Sequence, residues 1–407
     1  MALTLDRRRF LIGAGALMAA AAAPRLVFAA PGAAGGRDTI VSIFLRGGVD
    51  GLNVVAPYAE SAYYKLRPQL ALFPPDSGTD AALPLDGHFG LNPAFAAVEP
   101  LFREGKLAFV HAAGLDIASR SHAVCRDRVA RADPGGGIGG NWLDRHLSAI
   151  GGPGALTSVG MGSAMPAALQ GSPYATGLGG TGSFSLRPSE RSGDYATSWS
   201  RLFGVAPQLG AVSRSAFEAA SAIAAIDAAP QAPEMSADYP QTPFGRQLRQ
   251  VARLIKSNAG LEVACLELGG WDHHDRGQSR LALLLAELGT ALAAFDADLG
   301  AGMAAVDVVV LSEFGRRAAE NASLGTDHGS GGLMMLLGGG VAGGQVYTLW
   351  PGLGAAQLRD GGLAPTIDTR TVLGELLVKR RRDSRLDQVF PGFKPQPFVG
   401  AFRAFAA

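Results

Sequence analysis

Val306-Asp307-Val308-Val309-Val310-Leu311 runs directly into Ser312-Glu313-Phe314-Gly315-Arg316, and Gly325-Thr326-Asp327-His328-Gly329 follows nine residues later. Two further stretches share this layout. Thr39-Ile40-Val41-Ser42-Ile43-Phe44-Leu45 precedes Gly47-Gly48-Val49-Asp50-Gly51, and Val263-Ala264-Cys265-Leu266-Glu267-Leu268 precedes Gly269-Gly270-Trp271-Asp272-His273-His274. Short, nearly continuous apolar runs suit strands covered on both faces. Each run ends in a polar loop where glycine lets the backbone turn sharply and approach an ion or substrate. In an open α/β sheet, ligands bind outside the carboxyl ends of the strands. Asp50, Asp272, His274, Glu313, Asp327 and His328 are therefore expected to converge at one sheet edge. Carboxylate oxygen and imidazole nitrogen together form a divalent-metal ligand set.

The rest of the chain alternates in the same way. Leu107-Ala108-Phe109-Val110-His111 reads as another strand, while Phe244, Leu248, Val251, Leu254 and Ile255 share one helical face. Leu281, Leu284, Leu285, Leu288 and Ala291 share a second. This alternation predicts an α/β fold, a mostly parallel sheet sandwiched by helices. Between about residues 171 and 239 the pattern weakens into Gly, Ser and Pro, which predicts a cap or binding-loop insertion. Within it a helix is expected from Ser215 to Ala228, opened by a Ser215/Glu218 capping box.

Of 407 residues, 47% are hydrophobic and 17% charged, enough for a substantial core in a single domain spanning 30–407. The amino terminus is set apart. Asp6-Arg7-Arg8-Arg9-Phe10-Leu11 is a twin-arginine core, Leu11 to Ala23 is a small-residue apolar stretch, and Val27-Phe28-Ala29 offers a cleavage site. That stretch is too short to span a bilayer comfortably. Residues 1–29 are therefore expected to direct export to the periplasm or beyond by the twin-arginine machinery, which carries folded proteins. No stable membrane span is expected in the mature chain. Without this segment 32 basic side chains face 34 acidic ones. No basic run carries interleaved aromatics, so nucleic acid is not an expected partner. Cys125 and Cys265 read as buried free thiols.

Five motifs, in order, resemble the bacterial family catalogued as Domain of Unknown Function 1501. They are Arg46-Gly47-Gly48-Val49-Asp50-Gly51-Leu52-Asn53, Ser119-Arg120-Ser121-His122, Gly270-Trp271-Asp272-His273-His274, Ser312-Glu313-Phe314-Gly315-Arg316 and Gly325-Thr326-Asp327-His328-Gly329. The resemblance runs from about Thr39 to Phe393. That family looks like a branch of the alkaline phosphatase and sulfatase superfamily, which implies one or two metal ions acting on phosphate or sulfate esters. A small anionic ester is the implied substrate.

The resemblance implies one site from Asp50, Asp327 and His328 and a second from Asp272 and His274. The second departs from the better-known phosphatases, which place the histidine four residues after the aspartate and add another nearer the carboxyl end; this chain has no histidine after His328, so the second site is either absent or completed by Glu313, His122 or His273. Mixed nitrogen and oxygen ligands favour zinc or manganese, with magnesium and calcium as alternatives. Ser121 lies beyond the Leu107–His111 strand, where this superfamily carries its nucleophile, and Arg120 is placed to hold an anionic group. Ser121 also reads as the N-cap of a helix from Val124 onward, and both roles stand at this point. Formylglycine chemistry is disfavoured, because Asp127 and Val129 stand where Pro and Arg are required. A non-catalytic binding or assembly protein that keeps the fold is the alternative reading. Gly338-Gly339-Gly340-Val341-Ala342-Gly343 formally fits a dinucleotide fingerprint but opens no helix, and a nicotinamide site is rejected.

Overall fold

The computed structural model describes residues 38–404 except 79, 150–153, 155, 180–218, 220–221 and 224–236. Residues 1–29, expected to act as an export signal, lie outside the described residues. So do most of the 171–239 insertion and the Ser215–Ala228 helix, apart from Ala219, Ala222 and Ile223, which are helical.

Among the described residues a nine-stranded sheet organises the molecule. Its strands, in chain order, are β1 (Thr39–Arg46), β2 (Leu107–Gly114), β3 (Ser158–Met161), β4 (Ala175–Leu178), β5 (Val263–Gly269), β6 (Val306–Ser312), β7 (Gly332–Gly338), β8 (Val346–Tyr347) and β9 (Ile367–Asp368). They lie in the order β8-β2-β7-β6-β1-β5-β3-β4, with β9 also on β2. All pairings are parallel except those of β7, which runs antiparallel to both β2 and β6. The predicted α/β architecture is what the chain adopts, and the three apolar runs are β1, β5 and β6.

Side-chain alternation explains why these runs are apolar throughout. Along β1, Val41, Ile43 and Leu45 enter one core while Ile40 and Phe44 enter the other. Helix α3 (Pro243–Lys256) covers the first face with Phe244, Leu248 and Val251, and α4 (Gly277–Leu299) adds Leu281, Leu285, Leu288 and Leu292. On the second face, α1 (His122–Arg131) brings Cys125 and Val129. Beside it, α2 (Trp142–Ala149) brings Trp142, Leu143 and Leu147, and α5 (Thr369–Arg380) brings Val372, Leu373, Leu376 and Leu377. Each such side chain, fully buried, stabilises the fold by roughly 1.5–3 kcal/mol. Both cysteines are buried and unpaired. Among the described residues no helix is long and apolar enough to cross a membrane.

Strand direction positions the site. The registers Arg46↔Gly269 and Leu45↔Ser312 align the carboxyl ends of β1, β5 and β6. Because β7 runs the other way, its first residue Gly332 pairs with Ala113 near the end of β2. The segment entering β7 thus arrives at the same edge that the parallel strands leave. At the far edge the basic run ending α5 is spent on structure: buried Arg380 donates to Asp307 Oδ2 at 3.0 Å and to Asp38, and Arg381 to Glu262 at 2.8 Å.

His111, in the middle of β2, is buried; its Nε2 donates to Val55 O at 3.0 Å and its Nδ1 accepts the Ala112 N–H at 3.0 Å. Burial lowers its pKa to about 4. A depressed histidine pKa means the unfolded chain binds a proton that the native chain refuses, so this stabilisation is complete above pH 6.5 and declines down to about pH 4. The decline attributable to His111 should reach at most about 3 kcal/mol. Urea unfolding at pH 7 and pH 4.5 should show His111→Gln losing less stability between the two than the parent chain. Equal losses would contradict this.

Candidate metal centre

Two glycines allow the loops to meet. Gly47 has φ +130°, and a Cβ there would lie 2.4 Å from Asp272 N; Gly48 has φ +80°, and its Cβ would lie 2.5 Å from the Phe314 ring. Only glycine tolerates both the backbone angles and the crowding.

Arg316 ties the loops together. Its side chain is 1% exposed. Nε donates to Gly48 O at 2.8 Å, Nη1 to Thr326 O at 2.8 Å, and Nη2 to Gly47 O, Trp271 O and Asp272 Oδ1. Asp272 is thereby fixed at the tip of its loop, its side chain still 45% exposed. Burial works to raise its pKa, but the hydrogen bond from Arg316 and the neighbouring imidazoles outweigh it and hold the carboxyl at about 2.

Three imidazoles surround this carboxylate. His274 Nε2 lies 3.1 Å and His328 Nε2 3.2 Å from Asp272 Oδ1, and His122 Nε2 lies 3.3 Å from Oδ2. Each ring is held at its other nitrogen: His122 Nδ1 by Glu313 Oε1 at 2.8 Å, His274 Nδ1 by Asp327 Oδ1 at 3.0 Å, and His328 Nδ1 by Arg120 O at 2.9 Å. A ring that donates from Nδ1 to a carboxylate or carbonyl presents a lone pair at Nε2, the arrangement found around metal-bound histidines. Burial holds the His328 pKa down, which favours the neutral ring. Asp327 is also lowered, first by its hydrogen bond to His274. Buried Glu313 is itself braced by the Gly47 N–H at 2.8 Å and the Ser312 hydroxyl at 2.9 Å.

His122, Asp272 and His328 place ligand atoms within 4.8 Å of one another, close enough for one ion. His274 Nε2, 3.0 Å from His328 Nε2, adds a neighbouring donor. Two imidazole nitrogens and a carboxylate oxygen within reach of one ion suit zinc with a further position open. Asp272, Glu313 and Asp327 bring three carboxylates against two guanidiniums, Arg316 on Asp272 and Arg317 near Asp327, an excess of negative charge that a cation would neutralise.

The sequence-derived ligands are thus redistributed. Asp272 and His274, assigned to one site, come together with His328, assigned to the other, while Glu313 and Asp327 stand behind histidines as Nδ1 acceptors. Asp50 stays outside the cluster: its Oδ2 takes the Arg67 Nη1 at 2.7 Å, and Arg67 is fully buried. The physical reason is Arg67, whose buried charge requires a counter-ion. Arg67 also donates to Ala318 O and Arg317 O, and it sits in a stretch with no motif that would flag it. His122, offered by the sequence only to complete a second site, is central. It opens α1 directly after Ser121.

Ser121 does occupy the N-cap position, yet its hydroxyl accepts no helix N–H, and the residue is exposed. Ser119 Oγ instead accepts the Ser121 N–H at 3.2 Å. The Arg120 guanidinium is engaged by Ser119 O, Ser330 Oγ and Asp360, so its contribution here is the carbonyl that orients His328.

Residues 202–371 match the family model described as Protein of unknown function (DUF1501). Three of the five motifs lie inside that span, which is similar to this family. Among solved structures, the chain is similar to the soluble domain of lipooligosaccharide phosphoethanolamine transferase A from Neisseria meningitidis, at 11% identity and TM-score 0.31, covering 79% of this chain and 88% of that one. It is also similar to the integral membrane protein lipooligosaccharide phosphoethanolamine transferase A from the same organism, at 11% identity and TM-score 0.33, covering 84% of this chain and 59% of that one. No curated protein matches the chain.

Replacing Arg316 by Met should leave buried carbonyls unpaired and Asp272 without its counter-charge, costing about 3–5 kcal/mol of stability in chemical unfolding. Arg316→Lys should recover only part of this, because an ammonium cannot reproduce the planar fork. Equal stability of all three chains would refute the hub role.

Proposed function

We propose that this chain is an exported, metal-dependent hydrolase of phosphate esters, with sulfate esters the lesser candidates. The observation that carries the reading is the ring of three Nε2 atoms about Asp272, each imidazole fixed from behind, with Ser121, whose hydroxyl caps no helix N–H, directly preceding His122 in the chain. His122, His328 and Asp272, with His274 adjoining, would hold the ion, which when bound would stabilise charge developing on the ester oxygens. Glu313, Asp327 and the Arg120 carbonyl fix the rings that face it. Ser121 Oγ, losing its proton to solvent, forms a bond to phosphorus as the bond to the ester oxygen breaks, and the departing oxygen is protonated by water. Water then attacks the phosphoserine, releasing phosphate and restoring the hydroxyl. A neutral leaving alcohol and an anionic ester suit the exposed position of Ser121 and the cation that the cluster favours.

Three measurements test this. Protein purified without chelator should contain zinc or manganese, and His328→Ala should lose it; metal-free protein whose stability and activity ignore added metal would sink the reading. Ser121→Ala should lower ester turnover on the order of 10³-fold or more with metal content and melting temperature nearly unchanged. Ser119→Ala is the neighbouring control. Full turnover by Ser121→Ala would point to direct attack by water, and no turnover by the parent chain across a phosphate and sulfate ester panel would favour a binding protein.

Export belongs to the same proposal. Replacing Arg7 and Arg8 by Lys should retain the precursor in the cytoplasm, since lysine lacks the guanidinium geometry that a receptor reads. Efficient appearance of that variant in the periplasm would overturn the assignment of residues 1–29.

A further inference from the structure

The loops that carry the metal cluster also enclose a second polar space, lined by Asp50, Asn53, Trp271, His273 and Arg316 among others. It offers ≈ 10 Å³ to the centre of a water-sized molecule, about the minimum that one water requires. Four buried atoms of its lining residues have no partner within the protein: Asp50 Oδ1, Asn53 Oδ1, Trp271 Nε1 and His273 Nε2. Buried polar groups are nearly always hydrogen-bonded, so four unpartnered atoms around one small space require a common explanation.

We infer that this space binds a single water molecule, which joins the loop after β1 to the loop after β5. The carboxylate and amide oxygens of Asp50 and Asn53 accept, and the indole of Trp271 can only donate. His273 Nε2, a single ring atom, donates or accepts according to its tautomer. A water donates two hydrogens and accepts two, which matches this mixed set. Charge excludes the other occupants of this size. A cation would meet the Trp271 N–H and two guanidiniums, Arg316 in the wall and Arg67 already on Asp50 Oδ2 at 2.7 Å. An anion would meet the Asp50 carboxylate. Only a neutral molecule of one heavy atom satisfies all four groups.

Trp271 and His273 flank Asp272 in sequence, so this water would brace the loop that carries Asp272. It uses none of the cluster's own ligand atoms, and the inference stands or falls independently of the proposed hydrolase activity. The test is a crystal structure of the full chain grown with rubidium as the monovalent cation and a divalent metal present. The expected result is one density peak of water height, roughly 2.7–3.2 Å from at least three of the four atoms, without anomalous signal. A dry space would overturn the inference. So would an anomalous peak, or contacts of about 2.0–2.6 Å, which mark a cation.

Discussion

One guanidinium holds the functional edge of this molecule together. Arg316 leaves the end of β6 and reaches carbonyl oxygens in the Gly47-Gly48 loop, the Trp271 loop and the Thr326 loop, as well as the Asp272 carboxylate. Those loops come from distant parts of the chain and share no strand. Their carbonyls would be unpaired at a sheet edge without a donor with several fixed directions, and arginine is the side chain that supplies them. Glycine at 47 and 48 admits the close approach; arginine makes it favourable.

Two buried arginines also explain why similar-looking aspartates behave differently. Asp50 and Asp272 each follow a strand and a pair of glycines, and each pairs with a buried arginine. The Asp50 side chain is 9% exposed and the Asp272 side chain 45%. Arg67 therefore draws Asp50 inward as a structural counter-ion. Arg316 holds Asp272 by one oxygen while both remain in reach of the imidazoles outside. The chemistry of a carboxylate here is decided by which side of the loop its arginine occupies.

Much of this was legible in the residues. Unbroken apolar runs announced two-sided strands because both faces of the sheet are packed, and Gly-Asp loops after them announced the edge where ligands meet. Three of the histidines and aspartates expected there, Asp272, His274 and His328, do meet. The division of labour was not legible, since Glu313 and Asp327 are chemically competent ligands and only their distance to His122 and His274 makes them supports. Asp50 was misplaced for a similar reason: its partner Arg67 belongs to no motif, and nothing local reveals that its charge is buried. His122 gained its importance from β7, whose reversed direction brings His328 back toward the start of α1.

The connections within the cluster span great lengths of chain: 191 residues from His122 to Glu313, 208 from Arg120 to His328 and 266 from Gly47 to Glu313. Contacts of such separation form only after the loop-closure entropy of the intervening chain has been overcome, and parallel sheets make that slow. No short peptide of this protein contains the centre in miniature. The histidines become neighbours only when β1, β2, β5, β6 and β7 are already side by side. Capture of an ion by the cluster, on the proposed reading, would then be an event of the finished molecule, and its occupancy would measure how many chains have completed their folding.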